Sequence, residues 1–446
     1  MRINIGLNGS DVIRTIKYMT RNGIMPAYYA AKERLADRKR QYDYASVPED
    51  ELARQRELDK DAQLLVSILV PAYETNPDYM DALLESVLSQ TYPCYELIIA
   101  DASESDVVRD AIEEFKKKLS CSSAKGEDGL NKIVYVHLDE NKGISGNTNA
   151  GLSFAKGEFV ALLDHDDVLT PDALHEMVNA ATESGAELIY SDEDKCDETG
   201  GNYNTPNFKP DFNADMFLTN NYICHFTMLK SYLIKKLKFR EEYDGAQDYD
   251  LFLRAYKEVG SDKIAHVAKV LYHWRCHSGS TAANPSSKEY AYEAGRKALE
   301  SYYKEIGLEV MVKHGKHFGF YDTIYVNKDM FIQRREIGAV GGPLIKKNKI
   351  VGGAMNADGT CLYEGLNKNY SGYMNRADLC MDVEALDLRN IRVRDELTGI
   401  SGEILKEKPE LISDIKGLSL EFSKRVRQKG YILMYNPKMR QSGPVC

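Results

Sequence analysis

From Leu65 to Val70 the chain is almost wholly apolar and rich in branched residues, and Pro71 ends the run. That pattern predicts a buried strand. Tyr79 to Gln90 follows with Met80, Leu83, Leu84, Val87 and Leu88 at helical spacing. Next come a strand over Tyr95–Ala100, a helix over Val107–Lys118, a low-complexity loop over Ser120–Gly129 and a strand over Lys132–Leu138. A helix over Thr148–Ala155 and a strand over Phe159–Leu163 close the series. Strands alternating with helices predict an α/β fold built on a mostly parallel central sheet covered on both faces. Sheets of that kind bind ligands beyond the carboxyl ends of their strands. Chemistry is therefore expected just after Val70, Ala100 and Leu163.

The texture differs on either side. Residues 10–40 read as two helices divided at Asn22-Gly23, the second starting near Pro26. After Gly307 the periodicity blurs, with strand-like pieces at Asp322–Val326 and Lys349–Gly352. The expected division is a helical N-terminal extension (1–60), a central α/β domain (61–310) and a smaller α/β C-terminal module (311–446).

The chain has 446 residues, 43% of them hydrophobic, and a formal net charge of −10. Such a length suits two or three units with real cores. The acidic balance argues against a nucleic-acid partner, which needs a basic face. No apolar run approaches the length of a membrane span, and no secretory leader is visible. The eight cysteines are scattered without a Cys-x-x-Cys pair, as expected of reduced thiols in the cytoplasm. Against this background residues 11–40 carry eight basic side chains and three acids. They form either a solvated helical face or a surface for anionic lipid at the inner face of the cell membrane.

Three acidic features fall where the sheet rule points. Asp101 ends the second strand. Asp164-His165-Asp166-Asp167 ends a later one, before Thr170-Pro171 opens a helix. An Asp-x-Asp on one turn offers hard oxygen ligands for Mg²⁺ or Mn²⁺, which a diphosphate leaving group requires. An acidic turn capping the next helix would look the same. Asp248, in Gly245-Ala246-Gln247-Asp248-Tyr249-Asp250-Leu251, opens an amphipathic helix. It is either an acid favoured by the helix dipole or a general base at the mouth of a site. His273, Arg275 and His277 gather with the single Trp274 after an apolar run (Val267–Tyr272), which suits a metal and phosphate clamp.

These residues carry a resemblance. The chain resembles family 2 glycosyltransferases of the GT-A nucleotide-sugar fold, of the bacterial type that builds surface polysaccharide and O-antigen. Nine ordered blocks carry it, among them Val66–Tyr73, Ser86–Tyr92, Glu96–Asp101, Asn141–Gly143, Leu163–Asp167, Tyr190–Lys195, Gly245–Leu251 and Tyr272–Thr281. The resemblance implies that Pro71, Tyr73 and Asp101 line the nucleoside pocket and that Asn141, Gly143, Asp164 and Arg275 complete the donor site. It implies Asp166, Asp164 and His277 as contacts of Mg²⁺ or Mn²⁺, and Asp248 as the base of an inverting transfer. Asp192, Glu193 and Asp194 would lie near the sugar or the acceptor. The implied partners are a nucleoside-diphosphate sugar and a saccharide or lipid-linked saccharide acceptor. Ala102 stands where relatives often carry a second aspartate, which leaves the identity of the base open. The region around Ile337–Gly342 and Gly417–Phe422 resembles part of a second such domain that lacks the aspartates: a degenerate copy, or a structural buttress. The alternative for the whole chain is a non-catalytic nucleotide-sugar-binding or scaffold protein of a polysaccharide assembly complex.

Overall fold

The computed structural model describes residues 16, 18–20, 22–37, 42–122, 131–277, 289–326 and 329–439. They form two compact units. One comprises Tyr42–Phe212 and Asn221–Tyr302; the other comprises Met1–Gln41, Asn213–Asn220 and Tyr303–Cys446.

The first unit is built on β1 (Val66–Ala72), β2 (Tyr95–Asp101), β3 (Ile133–His137), β4 (Phe159–Leu162), β5 (Val168–Leu169), β6 (Leu188–Cys196), β7 (Asn204–Asn207), β8 (Thr227–Lys230) and β9 (Ile264–Arg275). Their order is β3-β2-β1-β4-β8-β6-β9-β5, with β7 beside β6. β1 and β2 are buried along nearly their whole length. That is why they read as continuous apolar runs rather than alternating ones. Helices Pro77–Leu88, Val107–Ser122 and Gly143–Leu152 form the crossovers. The first is capped by Asn76, whose side chain accepts from the Asp78 amide, and starts with Pro77. It buries Met80, Leu83, Leu84 and Val87 in the core that also takes Ile68, Val70, Leu97 and Ile99. Each such side chain contributes about 1.5–3 kcal/mol of burial.

The α/β class holds, with one difference in the sheet. Parallel pairing joins β1 to β2 and β4, β2 to β3, and β6 to β9. β8 runs antiparallel to β4 and β6, as do β5 to β9 and β7 to β6. The sheet is therefore mixed. Parallel neighbours need a long crossover, and only a short loop separates β6 from its neighbour β7.

A buried polar knot locks the centre. Ser67 Oγ donates to Glu96 Oε1 (2.6 Å), and that oxygen also accepts from the Lys156 amide (2.7 Å). The Gly157 amide donates to Ser67 Oγ (2.8 Å), and a Cβ at Gly157 would lie 2.6 Å from the Ser67 nitrogen. Only glycine allows that approach.

Helix Gln247–Val259 is tied down by Asp250, which is 1% exposed. It pairs with Arg240 and, at 2.6 Å, with Arg254, whose guanidinium also reaches the carbonyls of Leu237 and Lys238.

The second unit contains helix Ile24–Asp37, a hairpin of Val310–His314 with Tyr321–Tyr325, and a small sheet. That sheet is ordered Met381–Asp382, Ile432–Tyr435, Ile337–Gly341 and Ile391–Val393, with helix Ile415–Gln428 preceding its second strand. The strand-like pieces expected near 322–326 and 349–352 form at Tyr321–Tyr325 and Lys349–Gly352, and Gly417–Phe422 lies within the helix. Most of the basic residues of 11–40, most of the 120–129 loop and the end of the Tyr272–Thr281 block lie outside the described residues. Among the described residues, no helix is long and apolar enough to cross a membrane, and the cysteines are free.

Removing Asp250 strands two arginines in a buried setting, so Asp250→Ala is expected to cost about 3–5 kcal/mol in chemical denaturation. In the second unit, burial pushes the Asp382 carboxyl from 3.8 up to about 6, with Asp215 adding repulsion and Arg427 opposing the shift. A carboxyl raised on folding favours the protonated native state, so its stabilising contribution is present at low pH and is lost as pH rises from 3.8 through about 6. Thermal unfolding followed across that window should show this decline, and Asp382→Asn should flatten it.

Candidate active site

The carboxyl ends of the first three strands lie in register: Ala72 pairs with Asp101, and Asp101 with His137. Tyr73, one residue past β1, is 43% exposed, while Pro71 lies within the strand. Asp101 is fully buried. Its Oδ1 accepts from the Ser103 amide (2.9 Å) and hydroxyl (2.5 Å), and its Oδ2 accepts from Tyr135 (2.8 Å). Beyond β3, Asn141 Oδ1 accepts from the Gly143 amide (3.0 Å) and from Asn147 Nδ2 (2.9 Å), closing a tight turn into helix Gly143–Leu152. Gly143 has φ +74°, and a Cβ there would lie 2.6 Å from Asp244 Oδ2.

The turn after β4 carries the acidic group. Asp167 is fully buried, accepting from the Tyr272 hydroxyl (2.5 Å) and the Arg275 amide (2.7 Å). Burial, then the charges of Asp166 and Asp164, raise its carboxyl well above the ordinary range. Asp166 Oδ2 accepts from His277 Nε2 (2.8 Å). Asp164 faces His225, whose Nε2 stands 3.8 Å from Oδ2. The Asp164 carboxyl is raised by burial and by the charges of Asp166 and Asp248, against the pull of His225 and His165. Its side chain still keeps 44% of its surface open, so water reaches it. His165 Nδ1 and Thr75 Oγ1 are hydrogen-bonded at 2.9 Å, joining this turn to the end of β1.

Asp248 lies in the first turn of helix Gln247–Val259. Its Oδ1 accepts from the Tyr249 amide (2.8 Å), and its Oδ2 from Asn221 Nδ2 (3.0 Å). Asp164, Asp166 and Asp248 thus bear on one place although they come from two distant stretches of sequence.

The other expected residues are engaged elsewhere. Arg275 is 2% exposed and donates through Nε to the Asp166 carbonyl (2.7 Å) and through Nη1 to the Glu198 carbonyl (2.8 Å). Its guanidinium lies 4.8 Å from the centre of the Tyr79 ring. It braces the acidic turn and does not face open space. Asp192 Oδ1 accepts from the Lys209 amide (2.7 Å) and His266 Nε2 (2.8 Å). Asp194 accepts from Tyr42 (2.8 Å) and His273 (2.6 Å). Glu193 accepts from Asn207 (3.1 Å) and from the His225 amide (2.6 Å). All three are buried within β6.

His225, Asn221 and His165 join the site without having been singled out in sequence. A lone histidine ahead of a strand reads as structural, and nothing in the spacing of Asn221 links it to Asp248. His225 is stacked on Tyr272, with ring centres 5.1 Å apart.

Residues 67–257 match the family model described as Glycosyl transferase family 2. The match runs from β1 into helix Gln247–Val259 and covers less than half of the chain. The chain is 39% identical over 240 residues to the uncharacterized protein y4gI of Sinorhizobium fredii, a match covering 53% of this chain and 25% of that protein. It is 30% identical over 246 residues to the O-antigen biosynthesis protein RfbC of Myxococcus xanthus, covering 53% of this chain and 18% of RfbC. It is also 29% identical over 223 residues to the Escherichia coli enzyme WfaP, a UDP-Glc:α-D-GlcNAc-diphosphoundecaprenol β-1,3-glucosyltransferase, covering 49% of this chain and 80% of WfaP. The chain thus spans a quarter or less of the length of the first two relatives.

The bracing role of Arg275 has a direct test. Lysine keeps the charge but loses the planar fork that reaches two carbonyls. Arg275→Lys should lower stability by about 1–3 kcal/mol, measured as a shift in thermal midpoint. An unchanged midpoint would mean the two carbonyl bonds contribute nothing.

Proposed function

We propose that the chain transfers a sugar, with inversion, from a nucleoside-diphosphate sugar to a hydroxyl of a saccharide or lipid-linked saccharide during cell-surface polysaccharide synthesis. The observation that carries this reading is the convergence of Asp164, Asp166 and Asp248 beyond the carboxyl ends of the strands. RfbC, an O-antigen biosynthesis protein, and WfaP, a glucosyltransferase, point the same way.

In this reading Tyr73 offers its exposed ring to the nucleobase beside Pro71. Asp101, pinned by Ser103 and Tyr135, presents a fixed polar edge. The Asn141–Gly143 turn, at the start of a helix, meets the donor's phosphates. Asp248 takes the proton of the acceptor hydroxyl. With Asn221 on one oxygen and its own helix on the other, it needs little reorientation to act, and fixed geometry of that kind lowers a barrier. Asp192, Glu193 and Asp194 serve the sugar and acceptor side by fixing His266, His225 and His273.

A divalent cation suits the acidic turn. Asp166 and His277 face one another, and the Asp164 carboxyl, raised first by burial, also feels the negative charges of Asp166 and Asp248, a crowding that a cation relieves. Among the described residues, no three His, Cys, Asp or Glu side chains gather into a closed cage. Mg²⁺ needs none, because it keeps water and substrate oxygens and takes one or two carboxylates from the protein. Asp166, Asp164 and His277 would hold Mg²⁺ or Mn²⁺, which would neutralise charge on the leaving diphosphate. We further infer that residues 311–446 act as a non-catalytic module, and that the basic N-terminal stretch suits a lipid-linked acceptor at the inner face of the cell membrane.

The test is a panel of nucleotide sugars with Mn²⁺, read by thermal stabilisation and by release of nucleoside diphosphate. Asp248→Asn should keep donor-induced stabilisation and lose roughly 10²-fold or more in turnover. Retained transfer would remove Asp248 from the base role. Stabilisation without release from any donor would favour a binding or scaffold protein instead.

A further inference from the structure

Residues 42–47 and helix Glu49–Asp59 belong to the same unit as the large sheet. With the start of helix Ala173–Ser184 and the middle of β9 they enclose a cavity of about 270 Å³. That is the small end of ligand pockets, suited to a single sugar ring. None of the residues that line it belongs to the acidic turn or to helix Gln247–Val259.

Its walls are fastened from behind. The Tyr42 hydroxyl donates to Asp194 Oδ2 (2.8 Å). The Tyr44 ring stands edge-on to His273, with centres 4.7 Å apart, and lies 4.8 Å from the Tyr203 ring. Gln55 is 1% exposed: its Oε1 accepts from Thr91 Oγ1 (2.9 Å) and its Nε2 donates to Glu51 Oε1 (3.2 Å). At the rim, Lys269 Nζ is taken by Glu176 (2.5 Å).

Two polar groups at this cavity lack what such groups usually have. Asp172, 3% exposed, holds the N-cap position of helix Ala173–Ser184, where an aspartate ordinarily accepts from a backbone amide, yet it makes no cap bond. Its Oδ1 accepts from the Thr170 hydroxyl (2.6 Å), while Oδ2 takes no hydrogen bond from another described residue. The Tyr44 hydroxyl likewise has no hydrogen-bond partner among the described residues. Burial, then the charge of Asp172, raise its pKa, so it stays protonated and able to donate. Leaving such groups unmet costs about 1–3 kcal/mol each. A ligand hydroxyl meets both, donating to the carboxyl and accepting from the phenol. An ammonium would serve Asp172 but not Tyr44. An anion would face Asp43, Glu51 and Asp172, with Lys269 already engaged. A sugar ring brings hydroxyls at its edge and C–H groups on its faces, which suit the rings of Tyr42 and Tyr44.

We propose that this cavity is a saccharide site separate from the reacting centre, taking one neutral sugar ring with a hydroxyl held between Asp172 and Tyr44. It goes beyond the transferase reading and does not depend on it.

Saturation-transfer NMR of the full chain with free glucose, galactose, mannose, rhamnose and N-acetylglucosamine tests it. At least one sugar should bind, and Tyr44→Phe and Asp172→Ala should each weaken it about tenfold, the loss of one hydrogen bond. Asp248→Asn should leave that binding unchanged. Three results would overturn the proposal. No sugar binds the wild-type chain; or binding persists undiminished in Tyr44→Phe and Asp172→Ala, so that the cavity holds water only; or binding is lost in Asp248→Asn, which puts the sugar at the reacting centre. If Asp172→Ala fails to fold, Tyr44→Phe, which loses a single hydroxyl, decides alone. No donor or turnover enters the measurement, so a chain inactive in transfer leaves the test intact.

Discussion

The acidic turn depends on a carboxylate that water does not reach. Asp167, buried beneath Asp164 and Asp166 in sequence, accepts from the Tyr272 hydroxyl and the Arg275 amide, both on β9. Arg275 returns the contact by donating to the Asp166 carbonyl. Two stretches more than a hundred residues apart are thereby clamped at one strand end. A buried carboxyl without partners would be costly, so the clamp is all or nothing. Without it the turn has no reason to keep Asp164 toward His225 and Asp166 toward His277.

The order of strands and helices from Leu64 to Leu163 was legible because each element buries a face, and burial leaves a period in the sequence. The acidic turn and Asp248 were legible for a different reason: they sit at strand and helix ends, where a rule of topology says to look. What stayed hidden is cross-strand pairing. Asp192, Glu193 and Asp194 read as three acids available to a ligand, yet each meets a partner brought in by β7, β8 or β9. Arg275 read as a phosphate clamp because a cation beside histidines suits an anion. Its real neighbours are main-chain carbonyls, which no side-chain pattern reveals. The antiparallel strands β5 and β8 were missed for a similar reason, since they pair with strands distant in sequence, β9 and β4.

His225 shows how such partners extend a site. Its amide is held by Glu193, its ring lies on Tyr272, and its outer nitrogen looks toward Asp164. One histidine thus joins the buried Glu193 of β6 to the half-buried Asp164 of the turn. The charge on Asp164 is balanced by a group whose own placement is set from beneath.

The interleaving of the two units has a consequence for how such a protein is inherited. A domain whose chain runs unbroken can be moved between genes as a block. Here a cut after Tyr302 would leave Met216, Phe217 and Leu218, each no more than 5% exposed in the whole chain, inside the retained piece without the 303–446 fold they belong to. Recombination at that boundary yields a product that carries an uncovered apolar segment. The two halves are therefore expected to travel, and to diverge, together.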